Sequence, residues 1–185
     1  VRWKVAVPGK SISSPVVWAD QVFVLTAVRT AREAAGDALP KRDPRFRSKA
    51  APPTQFYQFK VLSYDRATGK PRWERTAAEA VPHEGLHETN TFASGSPTTD
   101  GKRLYVSFGS FGTFAYGLDG TLLWQREFGR LYTRNGFGES VTPVAHGDAL
   151  LLNLDQEGES KLVRLDAATG KTVWAAPRDE KTSWN

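Results

Sequence analysis

The chain has 185 residues, a formal net charge of +5 at pH 7, no cysteine and no methionine. The lack of cysteine excludes disulfides and thiolate metal sites, and no apolar run approaches the roughly eighteen residues that a membrane-spanning helix needs. Ten Phe, five Tyr and six Trp supply enough large apolar side chains for the core of a β-sheet protein.

A short pattern, a tight Asp/Gly turn followed by a tryptophan, occurs three times along the chain. Its residues are Asp65, Gly69 and Trp73, then Gly120 and Trp124, then Asp166, Gly170 and Trp174. Successive tryptophans are 51 and 50 residues apart, a period that is typical of propeller blades and stacked solenoids. Each repeat therefore predicts one supersecondary unit.

Each of these patterns ends a set of four predicted strands joined by tight turns. The first strand of every set contains a proline, namely Pro15, Pro97 or Pro143. Because proline cannot donate a hydrogen bond to a ladder, it favours edge strands or strand starts. The second and third strands are apolar, the fourth carries the tryptophan, and no stretch shows a convincing helical period. The sequence thus predicts an all-β protein.

The pattern Asp-x-x-Thr-Gly-x-x-x-Trp at residues 65–73 and 166–174 resembles the tryptophan-docking motif of the quinoprotein (PQQ-like) β-propeller repeat family. Ser63 and Arg164 stand where the fuller motif has alanine, and the middle copy is one residue short. The resemblance implies a partial β-propeller of about three and a half four-stranded antiparallel blades. It also implies that Trp73, Trp124 and Trp174 are largely buried between blades.

The repeats predict a single partial propeller over residues 1–185, and Trp3 is interpreted as the last-strand tryptophan of a preceding blade. The predicted parts are that strand at residues 1–9, blades at 10–76, 77–128 and 129–177, and the start of a further blade at 178–185. Propellers usually close with four to eight blades. We therefore expect a piece of a longer protein, whose open faces are covered by other blades or by a second copy.

Residues 29–55 form a basic insertion between the second and third strands of the first blade. The favoured interpretation is a solvated, partly disordered loop, and the alternative is a docking arm for a partner protein or an acidic surface. Only Phe46 interrupts the charges, whereas nucleic-acid stacking surfaces interleave several aromatic side chains with the cations. We expect no nucleic-acid binding.

His83, Glu84 and His87 match the zinc-binding pattern H-E-x-x-H, in which two histidines one helical turn apart hold the metal. Pro82 before the first histidine and Gly85 in the middle argue against the helix that this spacing requires. His83 and His87 are therefore only weak candidates for metal ligands, and the segment is interpreted as a polar loop near the channel mouth.

The loop before the third predicted blade contains the polar residues that we expect near the channel. Tyr132, Arg134, Asn135 and Glu139 could line a ligand pocket there, and the alternative is a purely structural turn. No other stretch carries a recognisable catalytic arrangement.

Two classes of function follow from the family resemblance. The first is a non-catalytic propeller module that binds a protein or ligand without a cofactor, as the outer-membrane-protein assembly lipoproteins with this repeat do. The second is part of a quinoprotein dehydrogenase, whose cofactor lies over a tryptophan beside calcium and paired cysteines. The lack of cysteine favours the first class. The resemblance also implies a periplasmic or otherwise extracytoplasmic location.

Overall fold

Three antiparallel four-stranded sheets follow one another in the computed structural model, which describes residues 1–184. The first contains β1 (Val16–Trp18), β2 (Gln21–Glu33), β3 (Gln55–Asp65) and β4 (Pro71–Ala80). The second contains β5 (Thr98–Thr99), β6 (Arg103–Ser107), β7 (Thr113–Gly117) and β8 (Leu122–Arg126). The third contains β9 (Val144–His146), β10 (Ala149–Leu154), β11 (Ser160–Asp166) and β12 (Thr172–Arg178). Spatial order follows chain order in each sheet, which confirms the predicted all-β partial propeller.

The sheets pack face to face, and the middle sheet is buried on both sides. Leu104 and Val106 of β6 belong to the core that includes Phe23 of the first sheet. Tyr105, which lies between them in sequence, belongs to a second core with Leu150 of the third sheet. Because successive side chains of a strand point to opposite faces, a strand between two sheets needs apolar residues at successive positions, as at Leu104, Tyr105 and Val106.

The turns before β4 and β12 are closed by the aspartate of the repeated pattern. Oδ1 of Asp65 accepts hydrogen bonds from the backbone N–H groups of Ala67 and Thr68 and from the hydroxyl of Thr68. Arg72, at 2.7 Å from Oδ2, and these donors lower the pKa of Asp65 to about 2. Asp166 makes the corresponding bonds to Thr169. This explains the spacing from aspartate to threonine in both turns.

One contact joins each sheet to the segment or sheet that precedes it in the chain. A tryptophan ring lies on a glycine with positive φ, and its indole N–H donates to a backbone carbonyl of the same turn. The pairs are Trp3 on Gly69 with Arg66 O at 2.9 Å, Trp73 on Gly120 with Leu118 O at 2.9 Å, and Trp124 on Gly170 with Ala167 O at 3.1 Å. A side chain at any of these glycines would occupy the space of the ring.

The expected burial of the three tryptophans is only partly met. Trp124 is 9% exposed and Trp73 is half-buried, but Trp174 is 39% exposed, so the prediction for Trp174 is wrong. Trp73 and Trp124 each lie on a turn of the sheet that follows in the chain. Within the described residues no sheet follows β12, and therefore no turn covers Trp174.

The strand ends differ from the limits expected for the blades. β4 extends to Ala80, four residues past the predicted limit at residue 76, and β12 ends at Arg178. β2 continues to Glu33 and β3 begins at Gln55, so the connection without a ladder is shorter than predicted and comprises residues 34–54. Residues 1–7 form no strand. The division into blades and the origin of residues 1–9 stay predictions.

None of the helical segments in the part of the chain that the structure describes is long and apolar enough to span a membrane.

Candidate functional site

The connections between successive sheets lie at one end of the strands. β4 ends where β3 begins, because Ala80 pairs with Tyr57, and β2 ends there too, because Glu33 pairs with Gln55. This end, which we call the loop face, comprises residues 81–97, 127–143 and 179–184, and the connection 34–54 lies against it. Side chains far apart in sequence meet there.

A cleft of about 660 Å³ opens on the loop face between these connections. Its apolar lining includes Ile12, Phe137 and Trp184, and its polar lining includes His87, Arg134 and Asn135. Clefts of this size with an apolar wall and a few polar groups are typical of ligand sites. The lining residues come from the segment before β1, from residues 81–97 and 127–143, and from residues 179–184.

Hydrogen bonds to backbone carbonyls join the neighbouring segments that form the cleft walls. The carbonyl of Phe137 accepts from the backbone N–H of His87 at 3.0 Å and from Nδ2 of Asn90 at 2.8 Å. Nε1 of Trp184 donates to the carbonyl of Gly138 at 2.7 Å. The walls of the cleft are therefore joined by direct contacts.

Two polar side chains of the cleft are left available. The guanidinium of Arg134 and the amide of Asn135 have no hydrogen-bond partner among residues 1–184. Only their backbones are used, because Arg134 N donates to Thr182 Oγ1 at 2.8 Å and Asn135 O accepts from Lys49 N at 2.8 Å. Asn135 has φ 59°, a left-handed conformation that asparagine tolerates better than most residues. Within the described residues, the guanidinium of Arg134 and the amide of Asn135 are therefore available to a ligand.

A second, enclosed cavity of about 20 Å³ lies beneath the same loops, with room for about one water molecule. Glu139 and Glu84 both line it. Oε2 of Glu139 accepts from the backbone N–H of Ser110 at 2.6 Å, and burial raises the pKa of Glu139 to about 8. The nearby charge of Glu84 acts in the same direction.

Glu84 and His83 serve as links between two loops. Oε2 of Glu84 accepts from the backbone N–H of Thr133 at 2.9 Å and from its hydroxyl at 2.8 Å, while burial raises the pKa of Glu84. Nε2 of His83 lies 2.8 Å from the carbonyl of Leu131, and burial lowers the pKa of His83. A neutral imidazole that donates from Nε2 satisfies this carbonyl. Both side chains are buried.

The four residues predicted to line a ligand pocket are divided between two places. Arg134 and Asn135 line the cleft. Glu139 turns inward, so closely against Gly109 that a Cβ there would be 1.8 Å from its Oε2. Tyr132 lies under Phe46, with ring centroids 4.2 Å apart. Their role in ligand binding stays a prediction.

The structure places His83 and His87 apart from any helix. Residues 81–90 form bends and turns, and Nδ1 of the exposed His87 lies 2.8 Å from the hydroxyl of Thr89. Within the described residues, no three His, Cys, Asp or Glu side chains are grouped so that they could hold a metal ion.

Three cleft residues were not identified from the sequence. They are Ile12, Phe137 and Trp184, which belong to no repeated pattern and lie in three different segments of the chain. A hint was available for Trp184, because it falls outside the tryptophan period of about 50 residues. Its position at the cleft follows from the tertiary structure alone.

The connection at residues 34–54, which we call the strap, packs on the loop face and is not the free loop favoured from the sequence. Phe46 stacks on Tyr132 with 14° between the ring planes, and the backbone N–H of Lys49 donates to Asn135 O at 2.8 Å. Ala50 lies against Gly85, where a Cβ would come within 2.6 Å of it. The amino-acid composition of the segment does not predict these apolar and backbone contacts.

The fold resembles several much longer propeller proteins. A europium-containing methanol dehydrogenase matches 95% of this chain and 26% of its own length, with a TM-score of 0.54 and 14% identity. The quinohemoprotein alcohol dehydrogenase ADHIIG from Pseudomonas putida HK5 matches over 95% and 22%, with a TM-score of 0.54 and 12% identity. BamB from Moraxella catarrhalis matches over 97% and 55%, with a TM-score of 0.47 and 19% identity. The chain spans about a quarter of the length of these dehydrogenases.

Sequence comparison identifies the family. No relative was found among curated proteins. The family model described as outer membrane protein assembly factor BamB matches residues 56–183, which is well over half of the chain. The chain therefore belongs to this family of PQQ-like propeller repeat proteins.

Proposed function

We propose that this chain is a non-catalytic PQQ-like propeller module that binds a protein partner through its loop face. One observation carries the proposal. Three titratable groups beneath this face, His83, Glu84 and Glu139, are bonded to the backbones of neighbouring loops. His87, which lines the cleft, is bonded through Nδ1 to the hydroxyl of Thr89. The side chains of His83, Glu84 and Glu139 therefore hold loops together. The groups that the cleft exposes are suited to binding.

The cleft itself has the composition of a recognition surface. Phe137 and Trp184 offer aromatic faces, and Arg134 offers a guanidinium that has no hydrogen-bond partner among residues 1–184. Aromatic residues and arginine are the side chains enriched in protein interfaces. The name of the matching family, an assembly factor of the outer membrane, agrees with a protein-binding role and with an extracytoplasmic, periplasmic location.

The second candidate is part of a quinoprotein dehydrogenase, since two such enzymes share the fold. That site needs a tryptophan platform, carboxylate and amide ligands for calcium, and paired cysteines. Trp184 lines the cleft, but Glu139 is turned into the enclosed cavity and the chain has no cysteine. The residues present here do not fit a quinone and calcium site.

The experiment that separates the two candidates is reduction of an electron-accepting dye by the purified chain, supplied with PQQ, calcium and a primary alcohol. We expect no alcohol-dependent reduction and no saturable change in tryptophan fluorescence on adding PQQ. Alcohol-dependent turnover that Glu139→Gln abolishes would overturn the non-catalytic proposal.

We also propose that another propeller blade, or a second copy of the chain, covers Trp174. The support is the repeated contact, in which Trp3, Trp73 and Trp124 each lie on the glycine of a following turn. An exposed tryptophan of the same pattern indicates a missing partner surface. Light scattering at micromolar concentration should show self-association. A stable monomer that binds no hydrophobic dye would contradict this.

A further inference from the structure

We propose that the strap is a docking surface for an acidic, extended segment of a partner polypeptide, which lies along the strap and reaches the cleft. The inference rests on the proposed function and adds the chemistry of the partner. The observation behind it is an alternation in residues 45–50, in which half-buried side chains that contact the loop face alternate with exposed cationic side chains.

Three side chains of the strap are directed onto the loop face. Phe46 stacks on Tyr132 at 4.2 Å, and Ser48 lies so close to Gly136 that a Cβ there would be 2.2 Å from its Oγ. Ala50 contacts Gly85 in the same manner. All three are half-buried. These positions attach the segment to the two loops that form the cleft walls.

The residues between them carry positive charge and are exposed. Arg45, Arg47 and Lys49 alternate with the three anchoring positions. Arg45 is bonded to Asp43 at 2.6 Å. The side chains of Arg47 and Lys49 have no acidic partner in the part of the chain described by the structure. The positive charges of these two residues are thus not neutralised by a neighbouring carboxylate there, whereas Arg45 is paired with Asp43.

The row of cations leads to the cleft. The backbone of Lys49 is bonded to that of Asn135, which lines the cleft beside Arg134. A bound segment would therefore meet Arg47, Lys49 and then Arg134, before its apolar side chains reach Phe137 and Trp184. In an extended chain, side chains on one side recur every two residues, about 7 Å apart. Alternating acidic residues followed by an aromatic or aliphatic one match this arrangement.

The orientation of Phe46 argues against a nucleic acid as the preferred partner of the strap. Nucleic-acid surfaces offer aromatic faces on which bases stack. Phe46 is turned inward onto Tyr132, so the strap presents charge without a stacking platform. A polypeptide carboxylate needs only the cations, with arginine able to bind it through two parallel hydrogen bonds.

The test is a fluorescence anisotropy titration with a labelled peptide in which glutamate alternates with serine and which ends in phenylalanine. The same peptide with glutamine for glutamate is the ligand control. Arg47→Glu/Lys49→Glu is the test variant. Lys70→Glu/Lys171→Glu is the charge-matched control, because both lysines are exposed and lie in turns at the opposite end of the strands.

We expect the test variant to bind the acidic peptide at least about tenfold more weakly, the control to stay within about twofold, and 0.5 M salt to weaken binding to the parent chain. The glutamine peptide should bind poorly. Equal losses in both variants, or equal binding of both peptides, would overturn the proposal. Binding to phosphatidylserine vesicles without binding to the acidic peptide would overturn it too, in favour of a membrane surface. Dye reduction by the chain with PQQ would refute the non-catalytic proposal independently of this titration.

Discussion

The indole ring of Trp124 lies on Gly170 so closely that a Cβ on the glycine would come within 2.7 Å of the ring. Nε1 of Trp124 also donates to the carbonyl of Ala167, three residues before the glycine, at 3.1 Å. The backbone of one turn thus both packs against the indole ring and accepts its hydrogen bond. The second and third sheets can approach this closely only because Gly170 has no side chain.

Gly170→Ala should lower the free energy of unfolding by about 2 to 5 kcal/mol, the sum of left-handed backbone strain and overpacking. Gly147→Ala is the matched control, because Gly147 has φ 58° against 69° for Gly170 but has no atom within 4 Å of its Cβ position. It should cost only about 1 to 2 kcal/mol. Urea unfolding measures both, and equal losses would contradict the importance of the Trp124 contact.

Replacing Trp124 and Trp174 by alanine should have unequal effects on stability. Trp124 is 9% exposed and Trp174 is 39% exposed. Trp124→Ala should cost about 3 to 5 kcal/mol, as large buried aromatic residues do, and Trp174→Ala no more than about half of that. Urea unfolding at a concentration that keeps the chain monomeric measures the difference. A larger loss for Trp174→Ala than for Trp124→Ala would contradict the difference in burial between the two rings.

Phe46→Ala should release the strap without unfolding the sheets. Loss of the stack on Tyr132 removes about 0.5 to 1.5 kcal/mol of local stabilisation beyond area burial. Trypsin should therefore cut after Arg42, Arg45 or Arg47 about two- to tenfold faster, while the urea midpoint changes little. Phe46→Tyr retains the ring and serves as the control. Unchanged cleavage in Phe46→Ala would show that the backbone contacts alone hold the strap.

Protonation of Glu139 should make stability depend on pH. Burial raises the pKa of Glu139 to about 8, above the value of roughly 4.3 expected in the unfolded chain. The folded state then keeps a proton that the unfolded state releases. The contribution of this carboxyl to the free energy of unfolding is full below about pH 4.3 and is lost as pH rises to about 8.

Glu139→Gln isolates this effect, because the glutamine carbonyl can still accept from Ser110 and carries no charge. Relative to the parent chain, the variant should be more stable at pH 8.5 than at pH 5. Urea unfolding of both proteins at both pH values provides the comparison, in which other titrating groups cancel to first order. A stability difference that is the same at pH 5 and pH 8.5 would contradict the raised pKa.

The repeats made the fold predictable, because each repeated residue meets a local structural requirement. Asp65 and Gly69 close a turn by bonds within five residues, and the centre of β6 is apolar on both faces because it lies between two sheets. Such requirements act at fixed sequence spacing, and therefore they recur with a period. The exposure of Trp174 was not predictable, because it depends on whether a surface follows, not on the turn that precedes the residue.

The site is different, since its members meet across connections that have no common period. The sequence alone identified the loop that carries Arg134 and Asn135, but only the tertiary structure separated them from Glu139, which turns into the enclosed cavity. The alternation of residues 45–50 was present in the sequence. Only the tertiary structure shows which side of this segment is buried, because Phe46 packs on Tyr132. An alternating segment packs only where another part of the chain supplies a surface for its inward side.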